Sequence, residues 1–191
     1  MGKTELINAT TRLFKSLGAK NVLAKTATSG VAATLIGGTM LHYWGALPMI
    51  MSKSDTWMNT SNNNIQTRQK NNILATHYLI VDKISMATSE LTALTSGIAG
   101  KIKGETVYAT APFGGMNVIL IGDFHQFPQP GHSDLAMYNS MPPNKTVTIG
   151  HTIYLQFETV VILHQQTRIR DQQWMEIPQR GECTKDNINK I

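Results

Sequence analysis

The chain has 191 residues, enough for one domain with a buried core, and 41% hydrophobic against 15% charged residues reads as globular. Seventeen Lys and Arg against twelve Asp and Glu leave a net charge of +5 and a pI near 9.4, a balance that suits a polyanionic partner, nucleic acid above all, as well as a mildly basic soluble protein. The single cysteine, Cys183, excludes an internal disulfide framework and a Cys-based zinc site, and this predicts an intracellular chain.

The opening MGKTELINATTRLFK has no apolar signal-peptide core, and no later apolar run approaches the ~18 residues of a membrane span. Leu6, Ile7, Ala9, Leu13, Phe14 and Leu17 fall at helical spacing, with Gly18 as the stop. NVLAKT (21–26) is short and mixed, compatible with a strand, and SGVAATLIGG (29–38) reads as a short helix closed by glycines. From Ser52 to Asn72 the chain is polar and Asn-rich, which predicts a long loop or an insertion. HYLIVD (77–82) is a buried-strand pattern, followed by a helix around Thr88–Thr95. MNVILIG (116–122) is a second buried strand, ETVVIL (158–163) a third, and a Pro- and Gly-rich segment runs from Phe127 to Pro143. Trp44 and Tyr43 are expected in the core, and the ten methionines as core and loop filler.

Strands that are apolar throughout and alternate with helices indicate an α/β fold, a mostly parallel sheet covered by helices. Ligands of such sheets bind beyond the carboxyl ends of the strands. Asp82 and Asp123 each stand where a buried strand ends.

Gly2-Lys3-Thr4 runs directly into a helix. G-K-[ST] is the second half of a phosphate-binding loop: the lysine reaches the β- and γ-phosphates, the hydroxyl ligates Mg²⁺, and the helix amino end faces the anion. Asp82 is placed as a metal-side carboxylate, against the plainer role of capping the next turn. In IGDFHQFPQP (121–130), Gln126 is suited to a phosphate oxygen or a water. A rival reading takes Asp123 and His125 as an Asp-x-His metal pair of a phosphoesterase, but His132, Asp134, His151 and His164 supply no downstream ligand pattern.

The ordered blocks GKT, KTATSGVAATLIGGTMLH, YLIVDKISM, FGGMNVILIGDFHQFPQP and VILHQQTRIRD resemble the PIF-type, RecD-like DNA helicases of superfamily one, closest in flavour to those of Helitron transposons. The resemblance covers Gly2 to Gly181, with the Asn-rich stretch unmatched. It implies a RecA-like P-loop NTPase lobe over residues 1–169, with 170–191 opening a truncated following segment. It implies a 5′-to-3′ DNA helicase that hydrolyses ATP with Mg²⁺, acts in repair, recombination and telomere maintenance, and works in the nucleus or the mitochondrion. By the same resemblance Gly2, Lys3 and Thr4 hold the phosphates, Thr4 and Asp82 the Mg²⁺. Gln126 senses the γ-phosphate, and Arg168 stabilises its developing charge. Thr26, Thr28, Ser29, Gly30, Thr39 and His42 contact single-stranded DNA.

The family pattern has D-E-I-S-M where this chain has Asp82-Lys83-Ile84-Ser85-Met86. A protonated lysine cannot take a proton from water, and loss of a positioned base costs about 10²–10⁴ in rate. The glycine-rich first half of the phosphate loop does not precede Gly2, and the second motor lobe is not in the chain. The expectation is a helicase lobe by descent that turns over ATP poorly. The alternative is a non-catalytic single-strand-binding remnant or a decayed helicase fragment.

Overall fold

The structure is a computed structural model, and it describes residues 2–47, 63–104, 111–126, 135–139 and 143–163. Its centre is a sheet of four parallel strands: β1 (Leu23–Ala27), β2 (Thr39–Met40), β3 (Tyr78–Asp82) and β4 (Asn117–Ile121), in spatial order β2-β1-β3-β4. The register sets the strand ends abreast. Ala27 pairs with both Met40 and Asp82, and Asp82 pairs with Ile121.

Side chains alternate between the two faces of a strand. Leu79 and Val81 of β3 therefore join one apolar cluster, and Ile80 the other. The larger cluster lies under α3 (Leu41–Gly45), α4 (Asn63–Ile73), α5 (Ser89–Ile102) and α6 (Lys145–Tyr154), and includes Trp44, Ile73, Leu91, Leu94, Ile98 and Ile153. The smaller one joins Ile7 of α1 (Lys3–Ser16) and Ala32 and Ala33 of α2 (Gly30–Leu35) to Ala27, Ile80 and Ile121 of the sheet. Most of α5 is buried, so its hydroxyls bond internally: Thr92 Oγ1 donates to the Thr88 carbonyl and Thr95 Oγ1 to that of Leu91. Its start is capped by Thr88, whose hydroxyl accepts from Leu91 N–H at 2.9 Å, and α6 is capped likewise by Asn144. The two helices touch at Gly150, where a Cβ would collide with the Ser89 carbonyl. Among the described residues no helix is long and apolar enough to cross a membrane.

Several expectations are corrected. The stretch expected to be a loop over 52–72 contains α4 from Asn63 onward; residues 52–62 lie outside the described set. This helix buries Ile73 and is otherwise tied down by side-chain hydrogen bonds. Arg68, Asn72 and Gln69 donate to the carbonyls of Tyr43, Trp44 and Gly45 in the last turn of α3, and the Tyr43 carbonyl also accepts from the C-cap Ala46 N–H. The Arg68 guanidinium also stacks on the Tyr43 ring at 3.6 Å, so Tyr43 is a surface residue while Trp44 is in the core. ETVVIL does not form the third buried strand. Residues 158–163 are exposed, Val160 at 78% and Val161 at 75%, because no described strand lies beside them to pair with. The helix expected around Thr88–Thr95 runs on to Ile102.

Candidate active site

The aligned strand ends create one edge from which several loops emerge together. Thr28, Ser29 and Gly30 follow β1, His42 comes two residues after β2, Lys83 follows β3, and Gly122 to Gln126 follow β4. This is the carboxyl edge of a parallel sheet, where the fold class binds its ligands.

The first helix is directed at the same edge. Ile7, near its start, is completely buried in the cluster that includes Ala27 and Ile121, the last residues of their strands. Phe14, near its end, meets Tyr78, the first residue of β3, edge to face with ring centroids 4.8 Å apart. The helix thus runs antiparallel to the strands, and Gly2, Lys3 and Thr4 stand at the carboxyl edge. Gly2, its N-cap, makes no side-chain capping bond to the first-turn N–H groups. That leaves donors and the positive end of the helix dipole for an anion. Asp82 has the same strand parity as Ile80, which packs in the cluster under α1 and α2. Its carboxylate is therefore on the face covered by the helix that carries Lys3 and Thr4. All four residues are half-buried.

Contacts tie the loops to one another. Thr28 N–H donates to the Asp82 carbonyl at 3.2 Å, and Thr28 Oγ1 to the Lys83 carbonyl at 2.8 Å. Lys83 has the left-handed backbone (φ 63°, ψ 42°), a turn in which Ile84 and Ser85 go inward. Its Nζ donates to Gln126 Oε1 at 3.3 Å, while Gln126 Nε2 donates to Asp123 Oδ2 at 3.1 Å. The other Asp123 oxygen accepts from His125 N–H at 3.0 Å. Gln126 is thereby held from both sides of its amide, by the β3 loop and by its own. Gly122 permits this approach: a Cβ there would lie 2.5 Å from Ile84 Cγ2 and 2.8 Å from Ile84 N.

In the sequence Asp123 reads only as a strand-end acid or a metal ligand. Its clamp on Gln126 was readable in part from the Asp-x-x-Gln spacing of a turn. Both Asp123 oxygens accept hydrogen bonds, and among the described residues the Asp-x-His pair joins no cluster of three or more His, Cys, Asp or Glu. Of the residues expected on DNA, Thr26 is a correction. It is completely buried, and its hydroxyl donates to the Ile80 carbonyl at 2.7 Å inside the sheet. Thr39 and Gly30 are exposed, and Thr28, Ser29 and His42 half-exposed, along one side of the edge. Ser29 Oγ also caps α2, accepting from Ala32 N–H. Burial holds the His42 imidazole below its ordinary pKa of 6.5. Arg168 lies outside the described residues.

A family model described as PIF1-like helicase matches residues 1–140. The chain belongs to the PIF1-like helicase family. The ATP-dependent DNA helicase RRM3 of Saccharomyces cerevisiae is 34% identical over 136 residues, which are 70% of this chain and 18% of that protein. The ATP-dependent DNA helicase PIF1 of Danio rerio is 34% identical over 131 residues, 66% of this chain and 18% of its own length. The crystal structure of the Pif1 helicase from Candida albicans superposes with a TM-score of 0.57 at 27% identity, over 73% of this chain and 31% of that one. Likeness to this helicase structure and the all-parallel sheet with helices on both faces bear out the RecA-like α/β lobe. The chain spans about a fifth of the length of the two curated relatives (18% in each case).

Proposed function

We propose that this chain is the first motor lobe of an ATP-dependent, 5′-to-3′ DNA helicase of the PIF type. The supporting observation is the convergence at one sheet edge of the uncapped α1 terminus with Lys3 and Thr4, the carboxylate of Asp82 on the face beneath that helix, and the doubly held amide of Gln126. Lys3 and the first-turn N–H groups bind the triphosphate, and Gln126 reaches its terminal phosphate. The Thr4 hydroxyl and the Asp82 carboxylate suit Mg²⁺, which is ordinarily bound by one or two carboxylates plus substrate phosphates and water. When bound, the ion screens the phosphate charge and polarises the terminal phosphoryl group. Arg168 is assigned to the same phosphate by resemblance to the family.

Single-stranded DNA runs along Thr28–Gly30 and Thr39–His42, where hydroxyls, glycine and small side chains permit close approach to a phosphate backbone. Thr28 links the two sites, because its hydroxyl and N–H bond the carbonyls of Lys83 and Asp82. The family reading carries with it a nuclear or mitochondrial location, a second motor lobe, and roles in repair, recombination and telomere maintenance. Residues 1–169 form the lobe in this reading.

Lys83 makes the chain a poor ATPase, since its ammonium is no proton acceptor at the position next to Asp82. That residue favours a second reading, a single-strand-binding remnant that no longer couples nucleotide to DNA. ATP hydrolysis with and without single-stranded DNA separates the two, together with DNA binding across a salt series. The helicase reading expects nucleotide-sensitive DNA binding with slow turnover. DNA binding indifferent to nucleotide supports the remnant, and fast DNA-stimulated turnover refutes the role given to Lys83.

A further inference from the structure

Resting on the nucleotide site proposed above, we infer that Lys83 makes that site a divalent-independent polyphosphate site, one that takes ATP without a metal ion. The charge at this edge carries the argument. Where the family pattern has two adjacent carboxylates, this chain has Asp82-Lys83. The pair is neutral instead of doubly negative. Two carboxylates repel a bare triphosphate, so such a site needs a divalent cation between acid and phosphate. Here an ammonium is built into the chain at the position of the second acid.

The geometry turns that ammonium toward Gln126. The left-handed turn at Lys83 is held by two hydrogen bonds to its carbonyl, from Thr28 Oγ1 at 2.8 Å and from Met86 N–H at 3.0 Å. Lys83 is half-buried, and its Nζ meets the side-chain carbonyl of Gln126, the residue expected at the terminal phosphate. An ammonium has three donors, and Gln126 takes one of them. A phosphate oxyanion is a stronger acceptor for an ammonium than the neutral amide oxygen of Gln126, and it displaces or shares this contact. Lys3 and Lys83 then both meet the triphosphate, with the carboxylate of Asp82 beside Lys83 in the chain and that of Asp123 engaged by Gln126.

The test is the affinity of the full chain for ATP, by calorimetry or by competition against a fluorescent analogue, in excess Mg²⁺ and in EDTA. The unsubstituted chain is expected to bind in both, with affinities within about threefold, because a fixed cation replaces the mobile one. Lys83→Glu should raise the EDTA-to-magnesium ratio of dissociation constants by at least about tenfold, as attraction becomes repulsion in a partly buried site. Lys83→Met removes the charge without adding another and should shift the ratio the same way by less; it decides the matter if the glutamate variant fails to give a cooperative melt. Binding in Mg²⁺ that is lost in EDTA by the unsubstituted chain overturns this inference and leaves the nucleotide site standing. An unchanged ratio in both variants also overturns it. Absence of ATP binding in either buffer overturns the nucleotide reading and this inference together.

Discussion

Replacing Ile7 by alanine tests the placement on which the site depends, the docking of α1 against the carboxyl half of the sheet. Ile7 is the one buried residue of that helix, 0% exposed, in a cluster with Ala27, Ile80 and Ile121. The substitution removes three carbons, about 2.4 kcal/mol at about 0.8 kcal/mol each. The sheet beneath cannot close fully over the gap, and the cavity brings the total to about 3–4 kcal/mol, within the usual range for such truncations. For a chain of this size that lowers the melting temperature by about 6–16 °C. Leu13, on the same helix but 55% exposed, is the control; its alanine variant should lose less than about 0.5 kcal/mol. Urea denaturation followed by circular dichroism gives both values. The docking also predicts weaker ATP binding by the Ile7 variant under conditions where it is still folded, because Lys3 is one turn away. Equal losses for Ile7→Ala and Leu13→Ala refute the packing of α1, and with it the approach of Lys3 to Asp82.

Gly122→Ala places a methyl against Ile84 N and Cγ2. It should cost about 1–3 kcal/mol by overpacking, read as a lower denaturation midpoint with an unchanged slope; a neutral result means the β3 and β4 loops are not in the close contact described. The half-buried His42 favours the neutral imidazole, its pKa lying below 6.5 because burial disfavours the charge. Above pH 6.5 folded and unfolded chains are both neutral there, and His42 leaves stability unchanged. As pH falls through 6.5 the unfolded chain takes the proton first, so stability declines until the folded pKa is passed. Melting temperatures between pH 7.5 and 5 should therefore fall less steeply for His42→Gln than for the unsubstituted chain, and parallel profiles contradict the shift.

What lay within reach of the sequence was set by neighbours along the chain. Alternation and unbroken apolar runs mark β3 and β4, and they put Asp82 and Asp123 at strand ends. The glycine, lysine and hydroxyl ahead of Leu6 and Ile7 mark a helix start of phosphate-binding composition. Those signals span only a few residues, and they survive folding because each element keeps its own period. The tertiary structure decided everything that depends on a distant partner. The polar run from Asn63 is a helix docked on the end of α3, where Arg68, Gln69 and Asn72 donate to three carbonyls distant in sequence. The apolar run from Glu158 did not become a buried strand, because a strand needs a neighbour and burial is a property of the pair. Thr26, expected on DNA, is instead a sheet-interior hydroxyl, since strand β1 extends to Ala27 and has β3 beside it. The meeting of Lys83 with Gln126 joins residues far apart in sequence, and only the parallel register of β3 with β4 brings them within a hydrogen bond.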